Sequence, residues 1–414
     1  MIHYEKFQLD NGLRVIFHQD KTTPLAVVNT LYDVGARDES EDKTGFAHLF
    51  EHLMFGGSVH IPDFDAPLQN AGGESNAFTS NDITNYYDQL PAKNLDTALW
   101  LESDRMLSLA FTEKSLEVQR NVVIEEFKQR YLNQPYGDVW LELRPLAYKE
   151  HPYRWATIGK NIQHIEEATM EDVKSFFKTH YHPGNAILCI AGNFELQEIQ
   201  EKVNHWFGSI PSQPKKARNL PKEPIQTEFR EKTLERNVPT DAFYYAFKMC
   251  PKLHPDYFIT DLISDAIGRD KSARLYTSLK KNQKLVSEIG AYVMGSIDEG
   301  LLIISGKLNP GISFEQLDQA LWQELHTLSN EEMSLKELNR LKIKVRTAKE
   351  FQEQGALNRA MNLCFHELMG DIEEINRENE HYEKITPTDM VRVSKVLFTK
   401  ENCSLLKVKS NDAK

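Results

Sequence analysis

Four residues recur at one fixed spacing along this chain: Thr169, Asp172, Asn185 and Leu188 return as Thr386, Asp389, Asn402 and Leu405, each displaced by 217 positions (386 − 169). In both places a helical pattern runs through a short turn into an apolar, strand-like segment. A chain that closes two successive stretches in the same way is expected to fold as two copies of one unit. Its 414 residues agree, because single cores stop growing at about 250–300 residues and longer chains divide. The division falls between Pro211 and Pro224, where Pro211, Pro214, Pro221 and Pro224 crowd a stretch without apolar periodicity. The expected organisation is a metal-binding domain over 1–210, a linker over 211–224, and a homologous domain without a metal site over 225–414.

Within the first copy the pattern changes from strand to helix and back. Residues 7–9 and 13–17 flank an Asp10-Asn11-Gly12 turn, and an apolar run follows over 26–34. From 45 to 55 the apolar spacing becomes helical, with Phe46, Leu49, Leu53 and Phe55, and Gly56-Gly57 supplies a stop. A short helix ends near Asn70, Gly72-Gly73 breaks it, and strand-like segments cover 75–80 and 83–89. Helical patterns follow over 94–107 and 113–132. The copy closes with a helix at 170–180, a strand at 185–192 and a helix ending near Phe207. The fold class is α+β, with two tandem antiparallel-rich sheets packed with helices.

The balance of 49 Lys+Arg against 61 Asp+Glu gives a net charge of −12, which argues against nucleic acid or an anionic membrane as partner. Cys189, Cys250, Cys364 and Cys403 lie far apart with no C-x-x-C pair, so no cysteine-based zinc site or disulfide framework is expected. The first residues contain no apolar stretch of signal-peptide length, and no run is long enough to cross a bilayer. The expectation is a cytoplasmic protein, or a periplasmic one if a leader was removed.

The segment His48-Leu49-Phe50-Glu51-His52 falls in the helical stretch. On a helix, residues i and i+4 stand one above the other, so His48 and His52 can direct two imidazoles at one ion. Glu51 lies beside them, in reach of a metal-held water without being needed as a ligand. H-x-x-E-H is the inverted form of the H-E-x-x-H peptidase signature. The plainer alternative is a pair of surface histidines with a salt-bridging glutamate.

A catalytic site of this kind needs a third protein ligand and one open position. Two adjacent carboxylates occur in the long helical pattern Arg120-Asn121-Val122-Val123-Ile124-Glu125-Glu126-Phe127. Glu126 shares a face with Val122 and Val123, which is expected to turn inward, whereas Glu125 is rotated about 100° from it. Glu126 is therefore the better candidate, against the alternative of a solvated helix glutamate.

Taken in order, HLFEH, then Gly72-Gly73-Glu74-Ser75-Asn76-Ala77-Phe78-Thr79 with Asp82, Thr84 and Tyr86, then Asn121-Val122-Val123-Ile124-Glu125-Glu126, then His151-Pro152-Tyr153 with Gly159, the chain resembles the pitrilysin/insulinase family of zinc peptidases. That family includes the mitochondrial processing peptidases. The resemblance covers essentially the whole first half and, more faintly, the second. The family's third ligand follows the second histidine by some seventy-odd residues, and Glu126 lies 74 beyond His52 (126 − 52). The resemblance thus implies one Zn2+ per chain on His48, His52 and Glu126, Glu51 as general base, and hydrolysis of peptides or unfolded polypeptides. It also implies that Asn76, Ala77 and Phe78 lie on an exposed edge strand to which substrate adds through backbone hydrogen bonds, bordering the scissile bond.

Two departures bear on the reading. Family members often carry a second Glu two helical turns before the third ligand, where this chain has Gln119. Many also carry, in the second half, an Arg and a Tyr seven residues apart that grip the substrate carbonyl, where this chain has Lys280 and Ser287. Family chains of this length hold two of the four domains that enclose a chamber, so a dimer is implied. The missing pair points to a heterodimer with a homologous subunit that lacks H-x-x-E-H and supplies Arg and Tyr; a homodimer is the alternative. The competing function is a non-catalytic structural or substrate-presenting subunit of a larger complex.

Overall fold

A computed structural model describes residues 1–411. Two compact units form, each with its own sheet. In the first, β1 (Glu5–Gln8), β2 (Arg14–Gln19), β3 (Leu25–Tyr32), β4 (Glu74–Thr79), β5 (Thr84–Pro91) and β6 (Ala186–Gly192) lie in the order β1-β2-β6-β3-β5-β4. In the second, β7 (Arg230–Arg236), β8 (Ala242–Met249), β9 (Val286–Met294), β10 (Gly300–Leu308) and β11 (Cys403–Ser410) lie in the order β7-β11-β8-β10-β9. Aligning β2 with β7 brings the rest into correspondence. The pairs β2–β6 and β7–β11 are parallel, and every other pair is antiparallel. The chain is thus a duplicated α+β fold.

The recurring residues hold the same joint in each copy. Thr169 and Thr386 cap their helices reciprocally with Asp172 and Asp389, each hydroxyl accepting the Asp N–H at 3.2 Å and each Asp carboxylate accepting the Thr N–H. The Asn185 side chain donates to the carbonyls of Asp33 (3.2 Å) and His180 (2.9 Å). Asn402 donates to those of Lys248 (3.0 Å) and Leu397 (2.9 Å). Each asparagine therefore ties the end of a helix to the end of a neighbouring strand. Leu188 and Leu405 then enter the sheets fully buried.

The units differ from contiguous halves. Among the described residues, the first comprises 1–127, 155–220 and 349–377, and the second comprises 128–154, 221–348 and 378–411. The cause is the second face of each sheet, which is apolar and must be covered. On the first sheet Val27, Leu31, Ile187 and Cys189 are covered by Ala360, Leu363 and Cys364 from a helix, Ala356–Met369, that follows the linker in sequence. On the second, Ala246, Leu406 and Val408 are covered by Val139, Leu143 and Ala147 from a helix, Val139–Ala147, that precedes it. Each half of the sequence thus contributes one helix to the other's core.

The proline-rich linker has no regular structure, yet it is held. Arg218 pairs with Asp33 (2.7 Å) and Asp38 (2.6 Å). The Glu223 carboxylate accepts the N–H groups of Lys149 (2.9 Å), Glu150 (3.0 Å) and His151 (3.0 Å) and the Lys248 ammonium (2.6 Å). Among the described residues no helix is long and apolar enough to cross a membrane.

Candidate metal centre

The motif lies on α1 (Phe46–Leu53). One face of this helix, Phe46, Ala47, Leu49, Phe50 and Leu53, is buried. Phe50 stacks on Phe176 and Tyr181, with ring centroids at 4.8 and 5.2 Å, so the residues flanking the Asn185 joint also fix α1. The helix begins at Gly45, whose φ of +89° favours glycine and where a Cβ would lie 2.6 Å from the Ile158 carbonyl oxygen. Beyond α1, Asp104 accepts from the Ser58 hydroxyl, from the His60 N–H (3.1 Å) and, at 2.6 Å, pairs with the His60 ring. That fixes the exit loop.

With the apolar face committed to the core, His48, Glu51 and His52 occupy the other face, half-buried. The second contributor is α2 (Glu113–Phe127), which packs on α1. Leu116, Val123 and Phe127 anchor it in the core, and Glu126 is brought to the histidines. Its Oε2 lies 3.7 Å from His48 Nε2 and 3.3 Å from His52 Nε2, and the two imidazole centroids are 4.8 Å apart in an edge-on arrangement. Among the described residues this is the one group of three or more His, Cys, Asp or Glu side chains whose ligand atoms all lie within 4.8 Å of one another. Tetrahedral zinc with bonds of about 2.1 Å spaces its ligand atoms by roughly 3.4 Å, so the donor set and its spacing fit this ion.

Glu125 is exposed, as the helical rotation requires. The face expected to carry Glu126 inward is split, however: Val123 is buried, whereas Val122 is 44% exposed. Glu126 sits at the margin of the buried stripe, and this margin is what leaves its carboxylate available to the histidines. Gln119 is half-buried two turns earlier, beside Gly56.

Glu51 belongs to the same face but points elsewhere. Its Oε2 accepts the Thr79 hydroxyl at 2.6 Å. Burial raises its pKa above the ordinary carboxylate value, and the Thr79 hydrogen bond and His52 oppose that rise. Thr79 ends β4, the edge strand of the first sheet. Alternation along β4 separates the three residues expected to border a substrate: Ala77 shares the half-buried side with Ser75 and Thr79, whereas Asn76 and Phe78 are exposed on the opposite face. In the second unit, the Lys280 ammonium lies 5.2 Å over the Tyr276 ring, and the Ser287 hydroxyl donates to the Lys307 carbonyl at 3.4 Å.

Glu39 is a residue of this centre without a signal in the sequence pattern. Its buried carboxylate accepts the N–H groups of Gly45 (2.9 Å) and Ala47 (2.8 Å), capping α1 one turn below His48. Burial raises its pKa to about 8, outweighing the donors that favour the anion. The folded protein therefore keeps a proton that the unfolded chain releases near its ordinary value of 4.5. The stabilisation this group gives is complete below pH 4.5 and is lost as the pH rises through 8. Relative to Glu39→Gln, whose side chain stays neutral, wild type is expected to lose roughly 4 kcal/mol of unfolding free energy between about pH 5 and 8.5. Urea unfolding of both proteins across that range checks this. Parallel stability curves would rule it out.

Comparison with known proteins gives the same framework. The family model described as insulinase (peptidase family M16) matches residues 14–154, and the one described as peptidase M16 inactive domain matches residues 167–345. A Helicobacter pylori zinc protease, PqqE, is 30% identical over 401 residues, covering 95% of this chain and 90% of that protein. The beta subunit of the Saccharomyces cerevisiae mitochondrial-processing peptidase is 25% identical over 310 residues, covering 71% and 66% of the two chains. A protease from Helicobacter pylori of known crystal structure superposes with a TM-score of 0.93 at 29% identity, over 99% of this chain and all of that one. The periplasmic protease PqqL from Escherichia coli shares the fold, with a TM-score of 0.80 at 19% identity over 99% of this chain and 48% of its own. With this duplicated fold, and with a zinc protease as a relative over nearly its whole length, the chain belongs to the insulinase family of peptidases, family M16.

Proposed function

We propose that this chain is a zinc-dependent metalloendopeptidase that hydrolyses peptides or unfolded polypeptides. His48, His52 and Glu126 hold one Zn2+, and Glu51 is the general base. The observation that carries the reading is the convergence of two imidazole nitrogens and one carboxylate oxygen from α1 and α2. Zinc in such a site supplies Lewis acidity towards a water and the scissile carbonyl. Glu51 takes the proton of the attacking water and returns it to the leaving amine. The open edge of β4 receives the substrate backbone as an added strand, with Ala77 on the side of Glu51 and with Asn76 and Phe78 on the outer face.

Lys280 and Ser287 stand where many members of the family carry Arg and Tyr, and neither reproduces the pair: Lys lacks the planar fork of Arg, and Ser lacks the reach of Tyr. The working enzyme is therefore a heterodimer whose second subunit, a homologue without H-x-x-E-H, supplies that grip. The test is zinc content by elemental analysis, together with cleavage of an unstructured peptide by the purified chain alone and with a homologous partner added. The expected result is one zinc per chain and chelator-sensitive cleavage that rises at least about tenfold with the partner. Full activity as a homodimer would remove the heterodimer. Absence of both metal and cleavage would favour a non-catalytic subunit instead.

A further inference from the structure

Resting on that reading of Glu51, we infer that Thr79 is a positioning residue that ties the general base to the strand along which the substrate lies. Glu51 stands on α1 and the peptide is received by β4, so base and substrate are carried by different elements. A side-chain bond joins those elements: the Thr79 hydroxyl donates to Glu51 Oε2 at 2.6 Å. Thr79 is also fixed from behind. It ends β4 in register with Thr84 of β5, and the preceding half-buried residues Ser75 and Ala77 keep its side chain turned to the α1 side. A short bond to one carboxylate oxygen limits rotation of the Glu51 side chain and so fixes the face it turns to the water. Without it, Glu51 loses the side-chain partner that orients its carboxylate, leaving the Thr79 backbone and His52 beside it, and a misplacement of about 1 Å at a reacting group costs on the order of 10²-fold in rate. By this assignment Thr79 does not meet the reacting atoms. It acts through Glu51.

The hydroxyl, not the bulk, is the operative feature. Thr79→Val keeps the β-branched shape that suits a strand and removes the donor, and Thr79→Ser keeps the donor. In the holoenzyme, Thr79→Val is expected to lower kcat by roughly 10- to 100-fold, with KM and zinc content within about twofold of wild type. Thr79→Ser should recover most of the loss. A second readout uses the metal-free protein: isotope-edited infrared spectra should show a shifted carboxylate stretching band in Thr79→Val relative to wild type, and no such shift when the same substitution is made in a Glu51→Gln background. The Glu51→Gln protein also separates the two ideas. If it keeps full turnover, the assignment of the base fails. If it is inactive while Thr79→Val retains wild-type kcat, or while Thr79→Ser is as impaired as Thr79→Val, the role of Thr79 fails alone.

Discussion

A Glu51→Gln protein is expected to bind zinc as wild type does and to hydrolyse an unstructured peptide about 10³-fold more slowly, within the range that general base catalysis contributes. The amide has nearly the volume of the carboxylate and can still accept the Thr79 hydroxyl through its oxygen, so the fold of α1 and the packing beneath it should not change. The ligand atoms of His48, His52 and Glu126 converge without Glu51, which is why metal content should hold. What the amide cannot do is take a proton from water near neutral pH. The loss should therefore appear in kcat, with KM little altered, because the interaction removed is one made in the transition state. Elemental analysis paired with steady-state kinetics reads both quantities from one preparation. Wild-type turnover in this variant would show that another group is the base.

Much of this centre was legible in the sequence because helical periodicity is a local property. The i, i+4 spacing of His48 and His52 already placed two imidazoles on one face, and Phe46, Leu49 and Leu53 already marked the opposite face as core. The same holds for the joint at Asn185 and Asn402, where side chains bond to carbonyls close by or in the adjoining strand, so identical residues at identical spacing mark identical geometry. The strands at 7–9, 13–17 and 26–34 and the helix at 170–180 likewise announce themselves through alternation, turn residues and a capping threonine.

What escaped the sequence depends on contacts remote along the chain or on which way a side chain turns. No helix was expected at Val139–Ala147. It carries an internal proline, Pro145, and its pattern makes sense only once its apolar face, Val139, Leu143 and Ala147, meets Leu406 and Val408 more than 250 residues later. The discontinuous units follow from that helix and its counterpart at Ala356–Met369, and a linker visible as a proline cluster gives no sign of either. Glu39 escaped because it lies before the helix it caps, outside any capping spacing, and its burial comes from packing rather than from its neighbours. The pleat, which sends Ala77 to one face of β4 and Asn76 and Phe78 to the other, is visible only once the strand has a side to pack against. Helical spacing alone puts Val122 on the inward face with Val123, yet a helix at the rim of a core turns only part of its apolar stripe to the interior.

The second large effect concerns the proposed third ligand, where two adjacent carboxylates make opposite predictions. Glu126→Gln is expected to abolish stable zinc binding and, with it, hydrolysis. A neutral amide oxygen is a weaker zinc ligand than a carboxylate oxygen, and with it the site falls to two imidazoles, one short of the three protein ligands that catalytic zinc sites keep. The fall in affinity should exceed the 10- to 100-fold seen when only an outer partner of a ligand is removed. Glu125→Gln changes the same charge one residue earlier, on an exposed side chain, and should leave zinc content and turnover within about twofold of wild type, as surface substitutions usually do. Fold stability of the metal-free proteins adds a control. Glu126 is half-buried at 3.3 and 3.7 Å from the imidazoles, so its loss should shift the metal-free unfolding midpoint only slightly, while the stabilisation that added zinc confers on wild type should vanish. Thermal unfolding with and without excess zinc measures that difference directly. Equal zinc-induced stabilisation in wild type and Glu126→Gln would mean that the metal is held elsewhere, and a loss in Glu125→Gln instead would move the ligand one residue back along α2.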